Sequence, residues 1–90
     1  MLEVVLRKQF KKDYARTKKR GMYDMDELNR IMRDVAEQKS LLQKNRDHPL
    51  AGNFIGYREC HITGNWVLLY KITKTQIFFA RTGTHADILE

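Results

Sequence analysis

The spacing of the apolar residues changes near residue 56, and that change constrains the fold more than any other feature. From residue 7 to residue 35, apolar side chains recur every three or four residues, as in helices; after residue 56 they alternate with polar ones, as in half-buried strands. The alternating part contains three short segments, 57–62, 66–72 and 76–82. The sequence therefore predicts a single domain, residues 1–90, in which helices precede an antiparallel meander.

The helical part predicts two helices. The first covers residues 7–20 and ends before Gly21, and the second begins at Asp24, where Glu27 three positions on would complete a capping box. Residues 2–6 alternate like a short strand. We therefore expect an α+β domain in which the N-terminal strand and the helical hairpin pack on one face of a small antiparallel sheet, leaving the other face for function.

Positive charge is concentrated in the first predicted helix. The chain has 17 Lys and Arg against 11 Asp and Glu, a net charge of +6, and the first helix alone holds eight of the basic residues. The exposed candidates for a basic patch are Lys8, Lys11, Lys12, Arg16, Lys18 and Lys19. Such a patch attracts polyanions or an acidic partner, although an ordinary solvated helix face has the same composition.

Several classes of protein are excluded by composition. The sequence contains no apolar run of about 18 residues, so no membrane span is expected. Residues 1–6 lack the basic start of a signal peptide. Cys60 is the single cysteine and cannot form an internal disulfide, and nucleotide-binding glycine motifs are absent. These features predict a cytoplasmic protein that uses no cofactor.

Three histidines, His48, His61 and His85, lie at predicted strand ends and loops. Imidazole can take and give a proton near neutral pH, and guanidinium groups suit phosphate. Metal-free cleavage of RNA by its own 2′-hydroxyl needs a base, an acid and cations. The histidines therefore predict a ribonuclease site. The cations available to it are Arg58, Arg81, Lys44 and Arg46.

Strand parity separates these candidates. Glu59 and His61 share one face of their predicted strand, where a carboxylate can orient an imidazole. Arg58 falls on the opposite, helix-packed face, so it can serve packing instead. Trp66 and Tyr70 could stack on bases, but their parity predicts the core.

Each histidine also has a structural interpretation. His48 can support the turn before Pro49, His61 can be a half-exposed strand residue, and His85 can belong to a tail. Zinc binding is a further alternative. The spacing of His, Cys and Glu does not match usual zinc motifs, and the neighbours Cys60 and His61 face opposite ways, so no metal site is predicted.

Four motifs, taken in order, resemble the YafQ-like branch of the RelE/ParE toxin superfamily. They are Asp47-His48-Pro49-Leu50-Ala51-Gly52, Tyr57-Arg58-Glu59-Cys60-His61, Trp66-Val67-Leu68-Leu69-Tyr70-Lys71 and Arg81-Thr82-Gly83-Thr84-His85. The resemblance covers essentially the whole chain and implies a RelE-like fold. It also implies a toxin of a type II toxin–antitoxin pair that cuts mRNA in the ribosomal A site without a metal.

The resemblance assigns roles to particular positions. His48, His61 and His85 match the family's functional histidines, Glu59 stands where close relatives have an aspartate, and Arg81 matches an arginine on the last strand.

Two positions depart from the pattern. Asn65 replaces an aspartate, and Leu89 replaces a phenylalanine. Asn65 can still hydrogen-bond and Leu89 can still pack on a base, so both remain candidate RNA contacts.

The expected function is a ribosome-dependent endoribonuclease in which His85 and His48 transfer protons and Arg81 stabilises the phosphate. His61, with Glu59, positions the nucleotide or shares the proton transfer. Its partners would be the ribosome, mRNA and a cognate antitoxin that binds the basic helix through an acidic segment. The resemblance implies a heterotetramer of two toxins and two antitoxins. Two other classes stay open. A ParE-like toxin that inhibits DNA gyrase would generally lack the histidines, and a basic RNA-binding module would bind in a salt-sensitive way without cutting.

Overall fold

Five strands form one sheet, in the order β1-β5-β4-β3-β2. The computed structural model describes residues 1–89. The strands are β1 Glu3–Leu6, β2 His48–Pro49, β3 Arg58–Thr63, β4 Trp66–Ile72 and β5 Gln76–Thr84, and the helices are α1 Lys8–Arg20, α2 Met25–Ala36 and α3 His85–Leu89. The meander of β3, β4 and β5 is antiparallel, as the alternating sequence predicts.

The boundaries of the two long helices follow from local chemistry. α1 ends at Gly21, whose φ of 73° is left-handed and favours glycine. α2 begins after Asp24, whose carboxylate accepts the Glu27 N–H at 3.1 Å. The Glu27 carboxylate pairs with Arg30, so one half of the predicted capping box forms. None of the helices in residues 1–89 has the length and hydropathy to cross a bilayer.

The α+β prediction is confirmed with one correction, which concerns β1. This strand belongs to the sheet as an edge strand and pairs in parallel with β5, with Val4 opposite Ile77. The sheet is therefore mixed. A parallel pair needs a long crossover connection, and α1 and α2 begin that connection on one face of the sheet.

That face carries the larger core. Apolar side chains of α1 and α2 pack on it, and they include Phe10, Leu28, Ile31 and Val35. Trp66 and Tyr70 belong to the same core and are 2% and 1% exposed. Both aromatic rings are therefore packed inside the protein, as their strand parity predicts.

The opposite face is partly covered as well. A smaller cluster on it consists of Val67, Leu69 and Ile88, with Leu50 and Phe54 packed against them. Helix α3 and the loop after α2 thus cover part of the face that we expected from the sequence to be left for function. In the register of β3 and β4, Glu59 lies opposite Leu69 and His61 opposite Val67, so both border this cluster.

Candidate active site

Three imidazole rings converge on one carboxylate oxygen. The Nε2 atoms of His85, His61 and His48 lie 3.1, 3.5 and 3.8 Å from Oε1 of Glu59. β2 supplies His48, β3 supplies Glu59 and His61, and α3 begins with His85. We call these four residues the histidine cluster.

The histidine cluster has a buried floor and an exposed rim. The side chains of Glu59 and His61 are 10% and 13% exposed, whereas those of His48 and His85 are 46% and 45% exposed. The two rim imidazoles are therefore accessible to a substrate. The floor is shielded from water, which strengthens the electrostatic interactions made there.

His48 is oriented by the backbone. Strand pairing puts it opposite Glu59, and its Nδ1 atom lies 2.6 Å from the carbonyl oxygen of Arg46. Because a carbonyl oxygen can only accept, Nδ1 of His48 carries a hydrogen and donates it. Its Nε2 atom then faces the Glu59 carboxylate.

Arg46 brings a cation to the edge of the histidine cluster. One of its guanidinium nitrogens lies 3.4 Å from Nδ1 of His61. The neighbouring Asn45 is buried and donates from Nδ2 to the carbonyl oxygen of His61 at 2.8 Å, which ties this loop to β3. The sequence analysis missed Asn45, and no sequence pattern marks it.

The start of α3 positions His85. Oγ1 of Thr84 accepts the Asp87 N–H at 3.1 Å, and the Asp87 carboxylate accepts the Thr84 N–H at 3.0 Å. Arg20, the last residue of α1, pairs with the same carboxylate at 3.0 Å. Hydrogen bonds from Arg20 and from the Thr84 backbone lower the pKa of Asp87 to about 2. The sequence analysis missed Asp87, although the spacing Thr-x-x-Asp is a capping-box signal.

Gly83 makes this arrangement possible. Its φ is 149°, a conformation that residues with a side chain rarely adopt. A Cβ atom at this position would lie 3.1 Å from a guanidinium nitrogen of Arg16 and 3.1 Å from the Asp87 carboxylate. Backbone conformation and close approach both require glycine here.

Arg81 and Arg16 lie at a second ionic group, centred on Asp13. Nε of Arg81 is 2.7 Å and Nη1 of Arg16 is 3.0 Å from the Asp13 carboxylate, which also accepts the Thr82 N–H. Asp13 is fully buried. Burial alone would raise its pKa, but hydrogen bonds from Arg81, Gln9 and Thr82 outweigh burial and hold the pKa of Asp13 below its usual value. The charges of Arg81 and Arg16 are thus engaged inside the fold.

Arg58 also lies apart from the histidine cluster. Its Nε atom pairs with Asp47 at 3.1 Å, and the hydroxyl of buried Tyr70 donates to the same Asp47 oxygen at 2.6 Å. This contact agrees with the packing role that strand parity allows for Arg58.

The remaining predicted residues lie at the surface. Lys44 is exposed in a short 3₁₀ turn, and Asn65 is exposed in the turn between β3 and β4. Leu89 ends α3, but its side chain lies outside the described part of the structure. The exposed lysines of α1 are Lys8, Lys11, Lys12, Lys18 and Lys19. They form the solvent-facing part of the predicted basic patch.

The histidine cluster also has the spacing of a metal site. One donor atom each from Glu59, His61 and His85 lie within 4.8 Å of one another. Spacing along the chain could not reveal this proximity, because the donors come from two elements, β3 and α3. Cys60 does lie in the other core, as its parity predicts, and burial raises the pKa of its thiol to about 12.

Comparison with known proteins places this arrangement in a family. Residues 2–90 match the sequence model of one protein family, whose description is "Bacterial toxin of type II toxin-antitoxin system, YafQ". The mRNA interferase toxin YafQ of Escherichia coli (strain K12) is 39% identical over 81 residues, which are 89% of this chain and 87% of the relative.

Two solved structures share the fold. The E. coli DinJ–YafQ toxin–antitoxin complex contains a chain with a TM-score of 0.90 and 34% identity, covering 99% of this chain and 98% of that one. A metal-bound toxin from Helicobacter pylori has a TM-score of 0.87 and 31% identity, covering 98% and 99%. Because the family model spans nearly the whole sequence, this chain belongs to the YafQ family of bacterial toxins of type II toxin–antitoxin systems.

Proposed function

We propose that this protein is a ribosome-dependent endoribonuclease that cleaves mRNA without a metal ion. The observation that carries the proposal is the convergence of three imidazole Nε2 atoms on the Glu59 carboxylate. A related chain from E. coli bears the name mRNA interferase. A toxin that inhibits gyrase by binding has no need for such a cluster.

The reaction begins when the 2′-oxygen of a nucleotide attacks the adjacent phosphorus. A base removes the 2′-hydroxyl proton, and an acid donates a proton to the leaving 5′-oxygen, so the products are a 2′,3′-cyclic phosphate and a 5′-hydroxyl. The exposed rings of His85 and His48 can reach the RNA and serve as this acid and base. Glu59 and His61, which lie beneath them, hold the rings in position.

Negative charge on the phosphorus centre requires a cation nearby. Arg46 supplies it, because its guanidinium already lies beside His61. Exposed Lys44 and Asn65 add contacts to the RNA from the two loops that flank the cluster. Arg81 acts indirectly, by anchoring β5 to Asp13.

The exposed lysines of α1 are the proposed contact for polyanionic partners. Ribosomal RNA meets them during cleavage, and an acidic segment of a cognate antitoxin covers them in a resting heterotetramer. The E. coli relative has been solved with the antitoxin DinJ. Dependence on ribosomes places this activity in the cytoplasm.

Mapping of RNA ends tests this function. An mRNA is incubated with the protein, with and without translating ribosomes, in Mg²⁺ buffer freed of transition metals. We expect cuts in the ribosome arm alone, carrying 5′-hydroxyl ends. His85→Gln should abolish them, whereas Asp26→Asn, which changes an exposed carboxylate on α2, should not. Intact RNA in both arms, or 5′-phosphate ends, would refute the proposal.

A further inference from the structure

We propose that Asp47 is a positioning residue, whose carboxylate holds its two neighbours in the chain, Arg46 and His48, in the places where they act on RNA. The effect on cleavage rests on the proposed function. The placement of His48 rests on the contacts of Asp47 and is tested separately, without RNA.

Asp47 and His48 lie on opposite sides of the sheet. Asp47 directly precedes β2, and successive side chains of an extended segment point to opposite faces. His48 faces the Glu59 carboxylate on one side. Asp47 contacts Arg58 and Tyr70 on the other side, where the larger core lies. Asp47 is therefore outside the histidine cluster although it is covalently joined to a member of it.

Two strands hold the Asp47 carboxylate. The hydroxyl of Tyr70, on β4, donates to Oδ1 of Asp47 at 2.6 Å, and Nε of Arg58, on β3, donates to the same oxygen at 3.1 Å. Tyr70 is 1% exposed, and burial raises the pKa of its hydroxyl, which therefore keeps its proton and donates it. Hydrogen bonds to an ionised carboxylate are among the strongest in proteins. The position of Asp47 is thus fixed by the middle of the sheet.

The backbone before Asp47 needs such support. Arg46 has a φ of 45°, in the left-handed region that is unfavourable for a residue with a side chain. Asn45 holds the preceding residue through the carbonyl oxygen of His61, and Asp47 holds the following one. In this conformation the Arg46 carbonyl lies 2.6 Å from Nδ1 of His48, and its guanidinium lies 3.4 Å from Nδ1 of His61.

Loss of this support would change the chemistry of His48. Without Asp47, Arg46 can relax out of the left-handed region, and its carbonyl then leaves Nδ1 of His48. A neutral His48 would carry its hydrogen on Nε2, as free histidine prefers, and could no longer accept a proton there. The Arg46 guanidinium would also leave the edge of the histidine cluster. One substitution on the core side of the sheet would therefore disturb a proton-transfer group and a cation together.

The placement of His48 is tested by nuclear magnetic resonance on the isolated protein. Long-range ¹H–¹⁵N correlation spectra show which ring nitrogen carries the hydrogen. We expect Nδ1 in the wild type and a shift of the population to Nε2 in Tyr70→Phe and in Asp47→Ala. Tyr70→Phe keeps every ring atom in the core, so the test does not depend on the folding of Asp47→Ala. Tyr14→Phe is the matched control, because it removes an exposed hydroxyl that donates to Asn29 at 2.9 Å.

The effect on the reaction is tested in the ribosome cleavage assay. Tyr70→Phe and Asp47→Ala should each lower the single-turnover rate at least about tenfold with KM little changed, since misplacement by about an ångström is costly to catalysis. The double variant should cleave at the rate of Asp47→Ala, because the hydroxyl acts through that carboxylate. Tyr14→Phe should cleave like the wild type.

The two measurements separate the possible failures. A His48 ring that keeps its hydrogen on Nδ1 in both single variants would overturn the positioning role. A shifted hydrogen with an unchanged rate, or losses that multiply in the double variant, would overturn the effect of Asp47 on cleavage. Absence of cleavage by the wild type would refute the ribonuclease and leave the spectra to decide the placement of His48.

Discussion

The guanidinium of Arg20 lies 3.0 Å from the carboxylate of Asp87 and joins the end of α1 to the start of α3. That carboxylate also accepts the Thr84 N–H and caps the helix that begins with His85. A residue outside the histidine cluster therefore holds Thr84, the residue next to His85, in place. We regard Asp87 as a positioning residue for the proposed reaction.

Replacement of Asp87 tests this role. Asp87→Asn removes the charge that binds Arg20, and we expect the single-turnover rate of mRNA cleavage to fall at least about tenfold, with KM little changed, because misplacement by about an ångström is costly to catalysis. The far-UV spectrum should stay that of the wild type. Asp26→Asn makes the same chemical change at an exposed site and should leave the rate unaltered. Equal rates for both variants would show that Asp87 does not position His85.

Stability at low pH should depend on the same carboxylate. The pKa of Asp87 is lowered from 3.8 to about 2, and that of Asp13 is also lowered. As pH falls below about 4, the unfolded chain takes up these protons first, so the folded state loses stability between about pH 4 and pH 2. The Tm difference between wild type and Asp87→Asn should be largest above pH 4, small near pH 2 and smaller still below it. A difference independent of pH would contradict this.

The ionic group at Asp13 should contribute strongly to folding. Asp13→Asn leaves the largely buried Arg81 guanidinium without its counterion, and we expect the free energy of unfolding in urea to fall by about 3 kcal/mol. A double-mutant cycle with Arg81→Gln measures the coupling. In the Asp13→Asn background, Arg81→Gln removes a charge that has already lost its partner, so the second substitution should cost much less than the first. Strictly additive effects would show that the two side chains do not stabilise each other.

Gly83 offers a test of backbone strain beside the histidine cluster. Gly83→Ala must adopt a φ near 149° and meets Arg16 and Asp87 at 3.1 Å, so we expect a loss of about 1–3 kcal/mol in stability and weaker cleavage. Gly64→Ala is the control, since Gly64 also has a positive φ, 52°, but has open space around it. It should cost less stability. The reverse ranking in urea unfolding would count against the crowding at Gly83.

Local patterns predicted most of the elements of this fold. The positions of α1, α2 and the three meander strands follow from apolar spacing, Gly21 and Asp24. The parallel pairing of β1 with β5 could not be derived in this way, because the alternation of a short strand specifies its faces but not its neighbour.

Contacts within one strand of the site could be predicted from the sequence, whereas contacts between elements could not. Strand parity puts Glu59 beside His61, but only the fold brings His48 and His85 to the same oxygen. The sequence does not show which arginine side chains pair with a carboxylate of the fold and which lie at the histidine cluster. Arg81, Arg16 and Arg58 resemble Arg46 in the sequence, and the first three differ from it because Asp13 and Asp47 lie next to them in space.

The parallel pair of β1 and β5 also determines the order in which the chain can fold during its synthesis. Glu3–Leu6 leaves the ribosome long before Gln76–Thr84 is translated, so β1 stays without its neighbour during most of synthesis. Pairs distant in the chain form late because loop closure must come first. The ion pairs of Asp13 with Arg81 and of Arg20 with Asp87 likewise form only after the second partner has been synthesised. The histidine cluster therefore cannot assemble until the last strand and helix have emerged, because His85 begins that helix.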